Sequence, residues 1–306
     1  MKVLITANCH HILKEELSKA GYDVLYLPDI DRETLLDLIP DATGLIVSTR
    51  LKIDTVVLEK AVCLQWIGRL GSGLELIDVP FAQSRGIRVL SSPEGNCDAV
   101  GEHTLALLLN LMNRISISSF EIREGKWLRD ENRGIELNGK TVGIIGFGHT
   151  GRAFARKLKG FDVRILAHDK YRSGYSSDAL IEASLEQVLA ESEVLSLHLP
   201  LTEETCHYAG RDFFRQTQKA PFFLNTCRGQ VHDTAALIDA IRDGKLSGAG
   251  LDVLENERFS TYSSAEQEQL QWLLKQPNVL ITPHIAGYSH EAFYKMSQIL
   301  VDKILK

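Results

Sequence analysis

Cysteine is scarce and scattered in this chain. Its 306 residues hold five, Cys9, Cys63, Cys97, Cys206 and Cys227, with no Cys-x-x-Cys pair among them. An odd set at that spacing supplies neither a disulfide framework nor a tetrahedral zinc site. It fits a reducing, cytoplasmic setting with no resident metal. A long apolar run is missing as well. The opening MKVLITANCHH has an apolar stretch too short for a signal peptide and reads as a strand. The most apolar later stretch, TLALLLNLM (104–112), is far short of a membrane span and reads as a buried helix. Positive charge is not in excess either. The net charge of −6 argues against nucleic-acid binding, and leaves room for a local basic pocket that takes an anion. There is no internal repeat and no low-complexity segment.

What is present is the composition of a soluble globular protein, 44% hydrophobic and 24% charged, in a chain long enough for two domains. Strand-like runs alternate with helical patterns from end to end, the signature of α/β folds with parallel sheets. KVLITA (2–7), YDVLYL (22–27), GLIVST (44–49), LQWIGR (64–69) and IRVLSS (87–92) predict a small five-stranded open sheet. A long helix is expected over 98–122, with Asp98 as its N-cap. Its dense apolar positions suit packing between domains or subunits. Six further strands are expected in TVGIIGF (141–147), DVRILAHD (162–169), VLSLHL (194–199), PFFLNTC (221–227), GAGLDV (248–253) and VLITPH (279–284). That is the content of a doubly wound dinucleotide fold. The tail SHEAFYKMSQILVDKIL (289–305) reads as an amphipathic helix that returns to the first domain.

Gly146, Gly148 and Gly151 form a G-x-G-x-x-G between a strand and a helix, and an acid, Asp169, ends the next strand. Together these satisfy the context that the motif needs. Gly146 permits the tight turn, Gly148 lets the backbone approach a pyrophosphate, and Gly151 lets helix and strand pack closely. The pyrophosphate then sits at a helix N-terminus, where free N–H groups and the dipole favour an anion. Asp169 would accept from the ribose hydroxyls and repel a 2′-phosphate, so the expected cofactor is NAD.

Ligands of open α/β sheets bind beyond the C-terminal ends of the strands. Three later strands deliver ionisable groups there: Arg228 after FFLNTC, Glu257 after GLDVLEN, and His284 at the end of VLITPH. An arginine suits a substrate carboxylate, and histidine suits proton transfer near neutrality. A carboxylate suits the other ring nitrogen of that histidine. Glu255 competes with Glu257 for this role, and Cys227 beside Arg228 is an alternative reactive group.

The chain resembles the D-isomer-specific 2-hydroxyacid dehydrogenases over nearly its whole length. The resemblance rests on ELNGKTVGIIGFGHTG, LSLHLPLTEET, NTCRGQVHD, GAGLDVLENE and NVLITPHIAG, in the family's order and spacing. It implies a Rossmann NAD-binding domain (99–285) inserted in a flavodoxin-like substrate domain (1–98, completed by 286–306). It implies Arg228, Glu257 and His284 as the catalytic trio, with Glu257 at the family's position. It also implies that His149, Thr150, His198, Leu199, Pro200, Thr205, Cys227 and Gly287 line the cofactor, and that Asp252 lies near its nicotinamide amide. Leu74, with its neighbours Ser72 and Gly73, matches a loop whose N–H groups meet the substrate carboxylate. The family usually dimerises through the long helix and the arm near 100–140, so a homodimer is expected. One departure stands out: members usually carry proline after the glutamate, where this chain has Arg258, followed by the unusual FSTYSSAEQEQLQWLLKQ.

Within the family, IGRLGSGLELIDV (67–79) and PEGN (93–96) are most similar to phosphoglycerate dehydrogenases. That similarity implies D-3-phosphoglycerate as substrate, in serine biosynthesis, with Arg50, Arg69 and Asn96 as contacts. Arg129 and Arg133, in the arm, are further candidates. Glyoxylate, hydroxypyruvate or another small 2-oxo acid is the competing substrate. An NAD-sensing binding module is the competing class, since the fold alone permits it. The chain ends at Lys306, after the closing helix, which leaves no room for the regulatory domain of some phosphoglycerate dehydrogenases. Serine inhibition through such a domain is therefore not expected.

Overall fold

A computed structural model describes residues 1–177 and 179–306. They divide into two compact units, Met1–Cys97 with Tyr288–Lys306, and Asp98–Gly287.

The first unit is built on β1 (Lys2–Ile5), β2 (Asp23–Tyr26), β3 (Ala42–Val47), β4 (Trp66–Arg69) and β5 (Arg88–Ser91). All pair in parallel, in the order β2-β1-β3-β4-β5, which is the flavodoxin-like order. Both faces are covered, as a parallel sheet requires. Leu4, Leu45 and Ile67 enter one apolar cluster, and Val3, Ile5 and Ile46 the other. The helix His290–Ile304 contributes Leu300, Val301 and Ile304 to the second cluster, so the tail does return to this unit.

The second unit holds β6 (Thr141–Ile145), β7 (Arg164–His168), β8 (Leu180–Glu182), β9 (Val194–Leu197), β10 (Phe222–Asn225), β11 (Gly248–Leu251) and β12 (Val279–Ile281). Their order is β12-β11-β10-β9-β6-β7-β8, all parallel. Counted from β6 this is the doubly wound Rossmann order, with its switch point between β6 and β9. Seven strands stand where six were expected. The extra one, β8, is a three-residue edge strand, Leu-Ile-Glu, too short to show a period.

The long helix needs correction at both ends. It starts at Pro93, runs to Asn113, and is followed by a separate helix, Ile115–Arg123, bent 60° away. Proline suits the first helical position because its missing N–H has no partner to lose there. Asp98 is therefore an interior residue, not the N-cap, and its carboxylate meets Arg156 at 3.1 Å. The break is at Arg114, in the left-handed region at φ 53°. The Asn110 side chain accepts from Ser116 N–H at 2.8 Å, which satisfies one of the new helix's free donors. No glycine or proline marks the break. The first helix sends Leu107, Leu108 and Met112 into the core of the second unit. Among the described residues no single helix is long and apolar enough to cross a membrane.

Candidate active site

The phosphate loop follows β6 directly. Gly146 takes φ +89°, and a Cβ there would lie 2.4 Å from the His198 carbonyl oxygen. A Cβ on Gly151 would lie 2.2 Å from the Gly146 carbonyl oxygen, so the helix His149–Lys157 starts tight against the loop. Gly148 is different: a Cβ there would meet nothing within 4 Å. It is also the N-cap of that helix and supplies no side-chain cap, leaving the N–H groups around His149 and Thr150 without that partner. Two glycines are thus required by packing and the third keeps open space over free donors. That arrangement fits a pyrophosphate. Gly148→Ala should accordingly still fold, its melting temperature lowered by no more than about a few degrees because alanine is a poorer N-cap than glycine, and bind NAD about tenfold or more weakly, about 1.4 kcal/mol per factor of ten, as read by fluorescence titration.

Asp169 lies one residue beyond β7 and ties two loops together. One carboxylate oxygen accepts from Phe147 N–H at 2.7 Å, the other from Tyr171 N–H at 3.0 Å. A carboxylate has about four acceptor positions, so capacity remains for ribose hydroxyls. Lys170, the nearest cation in sequence, is paired with Glu204, which also accepts from Tyr171. Its charge is already compensated, which lessens its value to a 2′-phosphate.

The segment after β9 carries His198, Leu199, Pro200 and Thr205. His198 is buried, and desolvation pushes its pKa down to about 3, so the ring is neutral. Its Nε2 lies 2.9 Å from Ser196 Oγ, and its Nδ1 has no partner among the described residues. Leu199 Cδ2 lies 3.1 Å from the Gly146 Cβ position. The Thr205 hydroxyl donates to the Pro200 carbonyl at 2.6 Å and accepts from Thr202 N–H at 2.8 Å, folding the segment on itself.

Arg228 stands on the turn after β10, and Asn225 builds that turn. The Asn225 side chain is fully buried. Its oxygen accepts from Cys227 N–H and Cys227 Sγ, both at 3.0 Å. Its amide donates to the Arg228 carbonyl at 3.0 Å and to His232 Nδ1 at 2.9 Å. Burial pushes the Cys227 thiol up, the opposite of an activated nucleophile. The Arg228 guanidinium donates to the Cys227 carbonyl at 2.7 Å. Next to it, a Cβ on Gly229 would lie 1.9 Å from the Leu254 carbonyl oxygen, so this turn touches the loop after β11 backbone to backbone.

That loop carries both candidate glutamates, and the structure separates them. Glu255 faces away, taking Thr234 N–H at 2.7 Å and His207 Nε2 at 2.6 Å. Glu257 faces His284: both carboxylate oxygens lie 2.9 Å from Nδ1. Arg258 now has a physical account. Its N–H donates to Asn256 Oδ1 at 3.0 Å, and its φ is −104°. Proline has no N–H and prefers φ near about −65°, so it fits neither condition. Tyr262 Oη donates to the Asn256 carbonyl at 2.6 Å, and Ser263 with Glu266 forms a capping box on the helix Ser264–Leu274. The unusual stretch after Glu257 is thus an ordered helix start.

His284 follows β12 in the left-handed region, at φ 55°. Its N–H donates to the Asp252 carbonyl at 2.8 Å. The buried Asp252 carboxylate accepts from Thr282 Oγ1 at 2.6 Å, Ile285 N–H at 2.9 Å and Ala286 N–H at 2.7 Å. Gly287 comes directly after this clamped segment. His103 Nε2 lies 3.0 Å from Thr282 Oγ1 and 3.5 Å from Asp252 Oδ1. Burial works to raise the Asp252 carboxyl, yet the bonds from His103, Thr282, Ala286 and Ile285 outweigh it and hold it low. It therefore stays ionised and pins an unfavourable backbone conformation that presents His284. Sequence reasoning missed Asn225, His103, Thr282 and Gly229 as supports.

The substrate candidates of the first unit lie at its own strand ends. Arg50 is exposed and donates to the Pro28 carbonyl at 2.7 Å. Arg69 is buried; its guanidinium donates to Gly73 O at 2.9 Å and to Leu70 O, which shapes the loop holding Ser72, Gly73 and Leu74. Asn96 is in the first turn of the Pro93 helix, its side-chain oxygen buried without a partner among the described residues.

Residues 105–286 match the family model described as "D-isomer specific 2-hydroxyacid dehydrogenase, NAD binding domain". Across the whole chain, 34% of residues are identical to a D-3-phosphoglycerate dehydrogenase of Archaeoglobus fulgidus, of whose length the chain spans 57%. A glyoxylate reductase of Thermofilum pendens is 36% identical over 90% of the chain and 80% of its own length. Among solved structures, a D-lactate dehydrogenase of Aquifex aeolicus complexed with NAD and lactic acid superposes with a TM-score of 0.85 at 27% identity, covering 100% of this chain and 94% of that one.

Proposed function

The chain belongs to the D-isomer-specific 2-hydroxyacid dehydrogenases, and we propose that it transfers a hydride between NAD and a D-2-hydroxy acid, with D-3-phosphoglycerate as the substrate. One observation carries the reaction class. Glu257 and His284 pair at 2.9 Å beyond β11 and β12, and Arg228 stands beyond the adjacent β10.

The cofactor, when bound, supplies the hydride acceptor at its nicotinamide. The side chains do the rest. Glu257 accepts from Nδ1–H of His284, which fixes the ring tautomer and leaves Nε2 for the substrate. In oxidation Nε2 takes the hydroxyl proton as C2 loses its hydride; in reduction Nε2–H returns it. Arg228 offers a planar fork of donors to the carboxylate and polarises the C2 oxygen. Glu257 stabilises the imidazolium that forms.

The phosphorylated substrate is supported by the motifs around residues 67–79 and 93–96 and by Arg50, an exposed guanidinium with one hydrogen bond in place. The 57% span of the phosphoglycerate-oxidising relative leaves a second reading, reduction of glyoxylate or hydroxypyruvate. It is favoured by Arg69, whose guanidinium is buried and turned onto its own loop. Steady-state assays with D-3-phosphoglycerate, D-glycerate and D-lactate, and in reverse with glyoxylate and hydroxypyruvate, separate the two. Arg50→Ala should raise KM for the phosphorylated acid about tenfold or more and leave KM for the others unchanged. An equal effect on all substrates would favour the second reading.

The homodimer reading is supported by apolar side chains left exposed after the long helix. Trp127 is 82% exposed, and Ile115, Phe120 and Ile122 are also uncovered.

A further inference from the structure

The mechanism makes no use of Glu255, although it is only two positions from Glu257. From the loop after β11 it nevertheless touches the segments after the two preceding strands of the sheet, β10 and β9. Its Oε1 accepts from Thr234 N–H, at the start of the helix that follows the Arg228 turn. Its Oε2 meets His207 Nε2 at 2.6 Å, on the segment after β9. Its carbonyl accepts from the Gln230 side chain at 2.8 Å, and Gln230 O in turn accepts from His207 N–H at 2.7 Å.

His207 is placed for this contact at a conformational cost. It sits in the left-handed region at φ 52°, where few non-glycine residues are found. Close backbone packing against Gly229 holds the Leu254 end of this loop. On the other side Glu255 and Asn256 line a cavity of about 180 Å³, with Tyr262, Leu270 and Leu273 on its other walls. There the hydrogen bonds of Glu255 add to the hold on this backbone.

We propose that His207 and Glu255 form a clasp that positions the Glu257 loop against the segment carrying Thr205, so that the cofactor-lining segment and the proton-transfer pair are held as one body. The inference rests on the dehydrogenase reading above. Neither residue touches the reacting atoms; both are positioning residues. Clasping also explains why the chain has two glutamates so close together. One holds the loop, and the other works at its exposed tip.

Single and double variants test it: His207→Ala, Glu255→Ala, both together, and His207→Gln, whose amide also donates to a carboxylate. Each alanine variant should lose about tenfold in kcat, with KM for the 2-oxo acid within about a factor of two. The double variant should be no worse than the poorer single one, the non-additivity of partners in one contact. His207→Gln should recover most of the loss. In the cofactor-free protein, amide hydrogen exchange over 202–209 should accelerate in both alanine variants and return to normal in His207→Gln. Additive losses, or full kcat in His207→Ala, would overturn the clasp. If Glu255→Ala fails to fold, the two His207 variants still decide. If the wild-type protein turns over no 2-hydroxy acid, the dehydrogenase reading fails, and the exchange data judge the clasp alone.

Discussion

His284→Asn is expected to cut kcat by about 10²–10⁴ while NAD affinity and melting temperature stay close to the wild-type values. Asparagine is the informative replacement. His284 sits at φ 55°, and asparagine is among the few residues that tolerate the left-handed region. Its side-chain amide reaches about where Nδ1 stands, so the bond to Glu257 survives. What it lacks is Nε2, the atom that exchanges a proton with the substrate oxygen. Stability should barely change. The His284 and Glu257 side chains are 40% and 44% exposed, and exposed pairs contribute little to folding. Three other histidines of the second unit offer no substitute. Burial holds His198 and His232 neutral, and His103 is engaged with Thr282 and Asp252. More than a tenth of the wild-type kcat in His284→Asn would place the proton transfer elsewhere. So would a large rise in KM with kcat intact, because that is the mark of a binding contact.

The pair that this variant probes was legible in the sequence, and its supports were not. Strand-end logic works because a parallel sheet sends every C-terminal end to one edge. Three apolar runs, each followed by an ionisable residue, were therefore enough to place Arg228, Glu257 and His284 near one another. The phosphate loop was legible for a related reason. Its glycines, strand and helix are contiguous; packing requires Gly146 and Gly151, and Gly148 leaves open space at the helix start. Supports act across long separations instead. His103 and Thr282 lie 179 positions apart, and nothing local in EHT or ITP announces their contact. Asn225 looks like an ordinary strand end until its amide is seen to organise Cys227, Arg228 and His232. The break at Arg114 was hidden because apolar spacing continues through it. Strand-end logic alone could not tell Glu255 from Glu257, since either reaches the strand edge; the family resemblance chose Glu257. The partners, His207 for one and His284 for the other, now separate them physically.

The largest effect away from the reacting atoms is expected at Gly229. Its φ is ordinary, so alanine meets no backbone penalty of its own. The obstacle is space. A Cβ would lie 1.9 Å from the Leu254 carbonyl oxygen and 2.5 Å from Glu255 N, and both are backbone atoms that cannot rotate away. The turn after β10 and the loop after β11 must therefore separate by about 1 Å or more to restore van der Waals distance. Arg228 is on one of those segments and Glu257 on the other. A misplacement of about 1 Å costs roughly 10²-fold in rate when reacting groups must stay aligned. Gly229→Ala should thus lower kcat/KM by about two orders of magnitude. The protein should still fold, because the strands beneath, Phe222–Asn225 and Gly248–Leu251, keep their pairing. Circular dichroism and the melting curve establish that point, and kinetics with Gly148→Ala as a comparison separate the two glycines. The Gly148 variant weakens NAD binding and spares the alignment of Arg228 with Glu257. The Gly229 variant does the reverse, so NAD titration should return an almost normal Kd while turnover collapses. Near-normal turnover in Gly229→Ala would mean that the Arg228 turn and the Glu257 loop work independently.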